Sequence, residues 1–387
     1  MKLLVINPSA DLYGANRILV NTLEFLQLEC EIILLLPSDG PLVQFLKERQ
    51  LKVKIVTFDD IPTIGRSKLK GKGIFSLFGS TYRSFVFLKR LKKQYNIDYA
   101  YVNTQAELLS LKLCKWIGLP ALLHVHEIVD HPRLPAKLIN KASLKWADKI
   151  IAVSSPVREN LLAMGSVPRH SNKVRVVLNG IVDPLEKVEP TGMVKEPDQK
   201  IVISLIARIK PDKGIWFFLD AIAGLPAEVA DKCMFNIVGG APPFGAHLIG
   251  KLKDDLSVHK YGRLIQYREF MPDVSALQYS SDILVVPSLM RDPFPTTILE
   301  AMALGKPVIA TNGGGAVQSV DHGNTGYLIN PGDVSAFVNY LILLIQDGEL
   351  RKTIGMQARR QYLEKFTMDV FRKNFLSTFN FLQHEKS

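Results

Sequence analysis

Short runs of β-branched and aliphatic residues alternate with longer amphipathic stretches along this chain, and the alternation stops once and then begins again. A strand followed by a helix returns the chain to the end of the sheet where the strand began, so successive strands pair in parallel rather than as hairpins. The pattern predicts parallel sheets covered by helices on both faces. In the first half the expected strands are Lys2 to Ile6, Cys30 to Leu36, Lys52 to Thr57, Tyr99 to Asn103, Ala121 to His126, Lys149 to Val153 and Val174 to Val177. Helical patterns such as Asn16 to Leu28 and Thr104 to Ile117 lie between them. The rhythm restarts with Lys200 to Ala207, Met234 to Val238, Leu264 to Tyr267, Ile283 to Val286 and Pro307 to Thr311. The interruption contains Pro184, Pro190, Gly192 and Pro197 mixed with charges, which reads as a linker. The expectation is therefore an α/β chain of two Rossmann-like, doubly wound domains, 1–183 and 200–366, joined by a linker over 184–199. A C-terminal helix over 367–387 carries Phe371, Phe375, Phe379 and Leu382 at helical spacing and can pack back on the first domain. A length of 387 residues suits two such domains.

Several classes drop out. The apolar runs, such as Ile32 to Leu36 and Tyr340 to Ile345, fall far short of the roughly 20 residues that span a bilayer. The opening strand reaches Asn7-Pro8 with no small-residue cleavage site after it, so a secretory leader is not expected. Cys30, Cys114 and Cys233 are widely separated, which gives no support to a zinc site or a disulfide framework and fits buried thiols in a cytoplasmic protein. Charge is uneven: residues 1–190 hold 27 Lys and Arg against 17 Asp and Glu, whereas residues 191–387 hold 21 against 20. A basic first half points to a polyanion, whether nucleic acid, an anionic membrane surface or a phosphorylated substrate. The excess is concentrated in Arg66, Lys68, Lys70, Lys72, Arg83, Lys89, Arg90, Lys92 and Lys93. Phe75, Leu77, Phe78, Tyr82, Phe85, Phe87, Leu88 and Leu91 are interleaved with them. Such a segment can lie at an anionic lipid interface, or it can be the solvated face of a helix packed in its own domain.

Two segments carry chemistry. In the first, Arg208 and Lys213 lie in Ala207-Arg208-Ile209-Lys210-Pro211-Asp212-Lys213-Gly214, between an expected strand and the amphipathic run Ile215 to Ala223. A strand-to-helix turn presents backbone N–H groups and the positive end of a helix dipole, and two added cations suit it to a diphosphate. In the second, Asp292 and Glu300 stand eight positions apart around the turn Pro293-Phe294-Pro295-Thr296-Thr297, which leads into a helix. Carboxylates accept hydrogen bonds from vicinal hydroxyls, which sugars and ribose supply in pairs. The plainer readings are solvent-exposed lysines for the first segment and a dipole-compensating glutamate for the second.

These segments occur in order with Ser154, Asn179-Gly180, Gly239-Gly240, Gly305-Lys306-Pro307-Val308-Ile309-Ala310 and Gly326-Tyr327-Leu328. In that ordered combination the chain resembles the family 4 glycosyltransferases over essentially its whole length. The resemblance implies a GT-B fold, in which two Rossmann-like domains face across a cleft, the second binding a nucleotide sugar and the first the acceptor. It implies that Arg208 and Lys213 hold the donor diphosphate, that Glu300 takes the ribose hydroxyls, and that Phe294, Pro295, Thr296 and Thr297 form the turn whose amides touch the transferred sugar. Asp292 occupies the place where the family usually has a glutamate near that sugar. In Leu123-His124-Val125-His126-Glu127, His126 matches the active-site histidine, while a His124-x-His126 zinc pair is the rival reading. Gly14 and Gly239 fall among the donor-binding positions. The chain also departs from the pattern: Asp11-Leu12-Tyr13-Gly14-Ala15-Asn16 has one glycine where many relatives have two, Arg268-Glu269 replaces a common glycine, and Gln318 replaces a common glutamate.

The function that follows is a retaining glycosyltransferase. It would move a sugar from a nucleotide diphosphate donor to a hydroxyl of a lipid-linked or polymeric glycan, in bacterial surface polysaccharide synthesis. Retention is implied by the resemblance alone. No cofactor and no metal are expected, since Arg208, Lys213 and a helix start supply the positive potential a departing diphosphate needs. The expected partners are the nucleotide-sugar donor, the glycan acceptor and an anionic membrane surface, with the protein cytoplasmic or peripheral on the cytoplasmic face. Two rivals stay open: a GT-B sugar-nucleotide epimerase, and a basic nucleic-acid-binding protein. The second lacks any zinc-finger, RNA-binding or helix-turn-helix signature, so no nucleic acid is expected.

Overall fold

The structure, a computed structural model, describes residues 1–12, 14–63, 73–165, 168–186, 199–242 and 245–379. Arg66, Lys68, Lys70 and Lys72, the side chains of Phe75, Leu77 and Phe78, the linker residues 187–198, Tyr13 and Leu382 lie outside the described residues. The chain divides into two units, Met1–Gly180 with the segment from Met368 onward, and Ile181–Thr367.

Unit 1 is built on seven parallel strands: β1 (Lys2–Ile6), β2 (Glu31–Leu36), β3 (Val53–Thr57), β4 (Tyr99–Asn103), β5 (Ala121–Val125), β6 (Lys149–Ala152) and β7 (Val174–Val176). They run in the order β3-β2-β1-β4-β5-β6-β7. Leu4 of β1 pairs with Ile33 on one side and Ala100 on the other. Leu3, Leu4, Val5 and Ile6 are all fully buried. A central parallel strand is covered on both faces, so consecutive residues are apolar where a half-exposed strand would alternate. The covering helices are α1 (Gly14–Leu26), α2 (Pro41–Glu48), α3 (Gly73–Tyr95), α4 (Leu108–Trp116), α5 (Arg133–Trp146) and α6 (Ser155–Gly165).

Unit 2 has six parallel strands: β8 (Ile201–Ile206), β9 (Cys233–Val238), β10 (Ile265–Arg268), β11 (Ile283–Val286), β12 (Val308–Thr311) and β13 (Tyr327–Ile329), in the order β10-β9-β8-β11-β12-β13. Its helices are α7 (Ile215–Ala223), α8 (Ala227–Ala230), α9 (Ala246–Val258), α10 (Ser275–Ser280), α11 (Thr296–Ala303), α12 (Ala316–Ser319), α13 (Val334–Gln346) and α14 (Gly348–Lys365). The last helix, α15 (Met368–Phe379), belongs to unit 1. Phe371 and Phe375 stand edge-on to Phe25 of α1, with ring centroids 5.6 and 5.4 Å away, and Phe375 also meets Tyr101 of β4 edge-on. The aromatic period of the C-terminal helix is thus core of unit 1.

The structure differs from the sequence reading in three ways. β13 has only three residues, too few to show a period, and was not anticipated. Several strand ends move by one residue, and β5 stops at Val125, which leaves His126 in the loop beyond the strand. The division falls at 180/181, three residues before the expected end of the first domain. Ile181 donates its N–H to Phe366 O and accepts from the Tyr362 hydroxyl, while Asp183 pairs with Arg359. These are all unit 2 contacts, so the boundary is set by where the backbone is bound rather than by where prolines cluster. Among the described residues no helix is long and apolar enough to cross a membrane. Cys114 and Cys233 are buried, and burial pushes both thiols up to about 12.

Candidate functional site

Numbered within each unit, both sheets run 3-2-1-4-5-6, with a seventh strand beyond the sixth in unit 1, so the chain turns outward in opposite directions from the first and fourth strands. A crevice opens at the carboxyl ends of those two strands. In unit 2 they are β8 and β11, and the sequence-derived residues follow them directly. Arg208 is exposed just past β8. Lys213 lies in the 3-10 turn Pro211–Lys213 that enters α7. Its ammonium reaches Asp292 Oδ2 at 2.5 Å, each side chain about a fifth exposed (21% and 19%). The two loops are also tied through backbone, because Leu289 N–H donates to Asp212 O at 2.9 Å. Gly214 explains how close they come: its φ is +74°, and a Cβ there would sit 1.8 Å from Pro287 O. Only glycine allows both the left-handed turn and that approach.

Neither helix entering this crevice is capped by a side chain. The cap of α7 is Gly214 and that of α11 is Pro295, so neither cap residue offers a side-chain acceptor to the first-turn N–H groups. Both positive dipole ends thus stand beside the Lys213–Asp292 pair. Phe294 and Pro295 are buried and Thr296 and Thr297 half-buried, which makes that turn a wall rather than a mobile flap. Asp292 O accepts from Gly315 N–H at 2.7 Å, which fastens the turn to the glycine-rich loop after β12. Glu300 lies on α11, where Gln278 Nε2 donates to its Oε2 at 2.6 Å. Gly239, at the end of β9, packs so tightly on Ala207 that a Cβ would lie 1.8 Å from its carbonyl oxygen. Ile209 N–H donates to Gly240 O, so the loop carrying Arg208 is braced by the next strand's exit. Of the two departures in unit 2, Arg268 contributes its backbone oxygen to Gly239 N–H, and Gln318 lies in α12.

In unit 1 the corresponding strands are β1 and β4, with β5 beside β4. Gly14 is the exposed first residue of α1, and a Cβ there would meet nothing within 4 Å, so the fold of unit 1 makes no demand for glycine at that position. His126 Nε2 lies 3.0 Å from Asn103 Oδ1. His124 is fully buried, with Nδ1 2.7 Å from the Tyr101 hydroxyl and its ring centroid 4.0 Å from that of His126. Burial holds His124 well below the usual imidazole range and pushes His126 down to about 3, so both rings are neutral at ordinary pH. Glu127 is raised by burial, although its Oε2 accepts from the backbone N–H groups of His126 and Gln105. Thr104, the residue that follows β4, has φ +85°, a strained conformation for a β-branched residue at a strand exit. Among the described residues no three His, Cys, Asp or Glu side chains gather as a metal ion would require.

Comparisons with known proteins decide the family. The family description "Glycosyltransferase Family 4" matches residues 14–183, and "Glycosyl transferases group 1" matches residues 192–361. This chain belongs to the family 4 glycosyltransferases. It is 26% identical over 262 residues to the capsular polysaccharide biosynthesis glycosyltransferase CapM of Staphylococcus aureus, covering 63% of this chain and 64% of that protein. It is 26% identical over 357 residues, 87% of this chain and 86% of the other, to an Escherichia coli enzyme named UDP-Gal:alpha-D-GlcNAc-diphosphoundecaprenol alpha-1,3-galactosyltransferase. In fold it is similar to HepE of Anabaena, solved in complex with UDP and glucose, with a TM-score of 0.82 at 21% identity over 98% of this chain and 99% of that one. The fold class of this glycosyltransferase is accordingly GT-B.

Sequence reading missed three features of this family 4 chain. Gln278 orients Glu300 from another helix, and nothing in its local sequence marks it. The asparagines Asn7, Asn16 and Asn103 gather from three segments. The third feature is α5, which carries Arg133, Lys137, Lys141 and Lys145 and no acidic residue, with Leu134 and Leu138 left 69% and 60% exposed. Its four-residue leucine spacing is visible in the sequence, but whether that stripe faced inward was not.

Proposed function

We propose that this glycosyltransferase moves a sugar, with retention at the anomeric carbon, from a nucleoside diphosphate donor to a hydroxyl of a lipid-linked or polymeric glycan. The observation that carries the reading is Lys213, held at 2.5 Å by Asp292 beside two helix starts without side-chain caps at the β8/β11 switch point. A group that leaves as a diphosphate develops negative charge, and donors already aimed at it need no reorganisation when the bond breaks. Lys213 has three donors, so it can keep Asp292 and still meet a phosphate oxygen. Arg208 adds a second cation at the same strand exit. Glu300, with one oxygen on Gln278, keeps its other oxygen for a ribose hydroxyl. The Phe294-to-Thr297 turn borders the transferred sugar, and Gly239 lets the β9 loop close behind Arg208. His126, neutral, orients the sugar. With no nucleophilic carboxylate in this set, the acceptor oxygen attacks on the face the diphosphate leaves, and the departing phosphate takes its proton. The positive charge comes from side chains, so the reaction needs no metal.

The basic first half fits an acceptor held at a membrane. α3, α4 and α5 lie side by side. Lys89, Arg90 and Lys93 of α3 are exposed, as is Trp116 of α4, and an open hollow of about 610 Å³ lies between Lys89, Lys93 and Trp116. Together with the leucines and lysines of α5 they form a basic surface with apolar anchors, suited to anionic lipid. The E. coli relative's name specifies a diphosphoundecaprenol-linked acceptor and CapM's a capsular polysaccharide, which agrees with this reading.

A thermal-shift screen of nucleotide sugars tests the donor assignment. The true donor at about 100 times its Kd stabilises by roughly 2.7 kcal/mol, and UDP sugars are the first candidates because HepE was solved with UDP. The shift, and turnover with that donor, should survive excess chelator. An epimerised sugar among the products formed from donor alone would favour an epimerase, and loss of activity on chelation, restored by one divalent ion, would overturn the metal-free reading.

A further inference from the structure

We propose that an amide relay, Asn16 to Asn7 to Asn103, holds His126 as its Nε2–H tautomer, so that the ring meets bound substrate through Nδ1 as a hydrogen-bond acceptor. The orientation of every amide follows from groups that can only accept. Asn16 Nδ2 lies 2.9 Å from both Asp11 O and Asp11 Oδ1, so this end must be the NH2 and its Oδ1 faces Asn7. Asn7 Nδ2 donates to Ser9 O at 2.6 Å and to Asn16 Oδ1 at 3.0 Å, which leaves Asn7 Oδ1 pointing at Asn103. Asn103 must therefore turn its Nδ2 to Asn7, at 2.7 Å, and its Oδ1 to His126 Nε2, at 3.0 Å. An amide oxygen only accepts, so the imidazole nitrogen facing it carries the proton.

The relay is rigid because it is dry. Asn7 and Asn103 are fully buried and Asn16 is 4% exposed. Flipping any one amide would set two donors or two acceptors against each other in a setting where an unmade hydrogen bond is expensive. Other groups around the ring do not compete for Nε2. His124, 4.0 Å away by centroids, has its Nδ1 on the Tyr101 hydroxyl, Tyr101 also donates to Asn103 Oδ1 at 3.2 Å without touching Nε2, Glu127 accepts from backbone N–H groups, and Asp11 meets the relay at its far end. A neutral ring presenting a lone pair accepts from a hydroxyl and repels a phosphate. The ligand group at His126 is therefore a sugar or acceptor hydroxyl, and Asn103 is a positioning residue. The relay also ties the loop between β1 and α1 to the ring, so movement of one is felt by the other.

This inference rests on the role given to His126 above, and the test separates the two. Protein labelled with 15N-histidine is examined by long-range 1H–15N correlation at pH 7, with His126→Gln identifying its signal among eight histidines. The expected wild-type result is the Nε2–H pattern. Asn103→Asp keeps the shape but places a carboxylate on Nε2, so the ring should become an imidazolium and titrate at higher pH. Asn103→Leu should lower kcat/KM on the order of 10²-fold through misplacement of the ring, while the thermal shift with UDP stays as in wild type. An Nδ1–H pattern or a charged ring in the wild type, or an unchanged spectrum in Asn103→Asp, would overturn the relay. Wild-type activity in His126→Gln alongside the Nε2–H pattern would instead remove His126 from the reaction and with it the substrate half of this inference.

Discussion

Lys213 and Glu300 show how one side chain's value depends on a second that holds it. Lys213 without Asp292 would be a long, mobile cation on a loop; with it, the ammonium is fixed at the crevice before any ligand arrives. Removing a preorganised donor from a developing oxyanion costs on the order of 10² in rate. Lys213→Ala and Arg208→Ala should therefore each lower kcat by about that factor, measured as initial rates at saturating donor, and near-normal rates in both would sink the assignment. Glu300→Gln should act differently. In the proposed role its carboxylate would meet a part of the donor that does not react, so KM for the donor should rise while kcat holds. A wild-type KM would count against the ribose role.

Helices α3 and α5 differ in what can be replaced without harm. Lys92 Nζ donates to Ile117 O and Gly118 O, at 2.8 and 2.9 Å, so it closes the end of α4 and belongs to the fold despite its place in a basic run. Lys89, Arg90 and Lys93 of α3, and Lys137 and Lys141 of α5, are exposed. Each cation near an anionic surface contributes about 1 kcal/mol, and the attraction weakens over a Debye length as salt rises. A variant with these five changed to glutamine should lose co-sedimentation with anionic vesicles and keep its melting temperature. Equal sedimentation of wild type on anionic and neutral vesicles would mean that the two helices are merely solvated. Leu134→Ser with Leu138→Ser should weaken binding even at high salt, because the contact proposed for these two exposed side chains is apolar.

Over the whole chain, unit 1 is discontinuous: it is completed only when the polypeptide has traversed unit 2 and supplied α15. Phe375 is fully buried against Phe25, Tyr101 and His124. Phe375→Ala should cost about 3–5 kcal/mol, and the loss should fall on unit 1 alone. Calorimetry of the variant should show an early transition that UDP does not move and a later one that it does; a single early transition shifted by UDP would show that the units unfold together. Much of this organisation is readable along the chain. Parallel strands buried on both faces must be runs of apolar residues, and helices between them must be amphipathic, so the order of elements, the two sheets and the turns bearing Arg208, Lys213 and Asp292 follow from local pattern. The three-residue β13 and the boundary at Ile181 do not, since their stability comes from partners distant in sequence. Nor does the inward or outward sense of α5, because periodicity gives a stripe without saying what covers it. The same holds for Gln278 on Glu300 and for the asparagines that set the proton on His126. Those are hydrogen bonds between side chains up to 96 positions apart. They depend on distance and on which groups can only accept, and those relations exist only once the chain has folded.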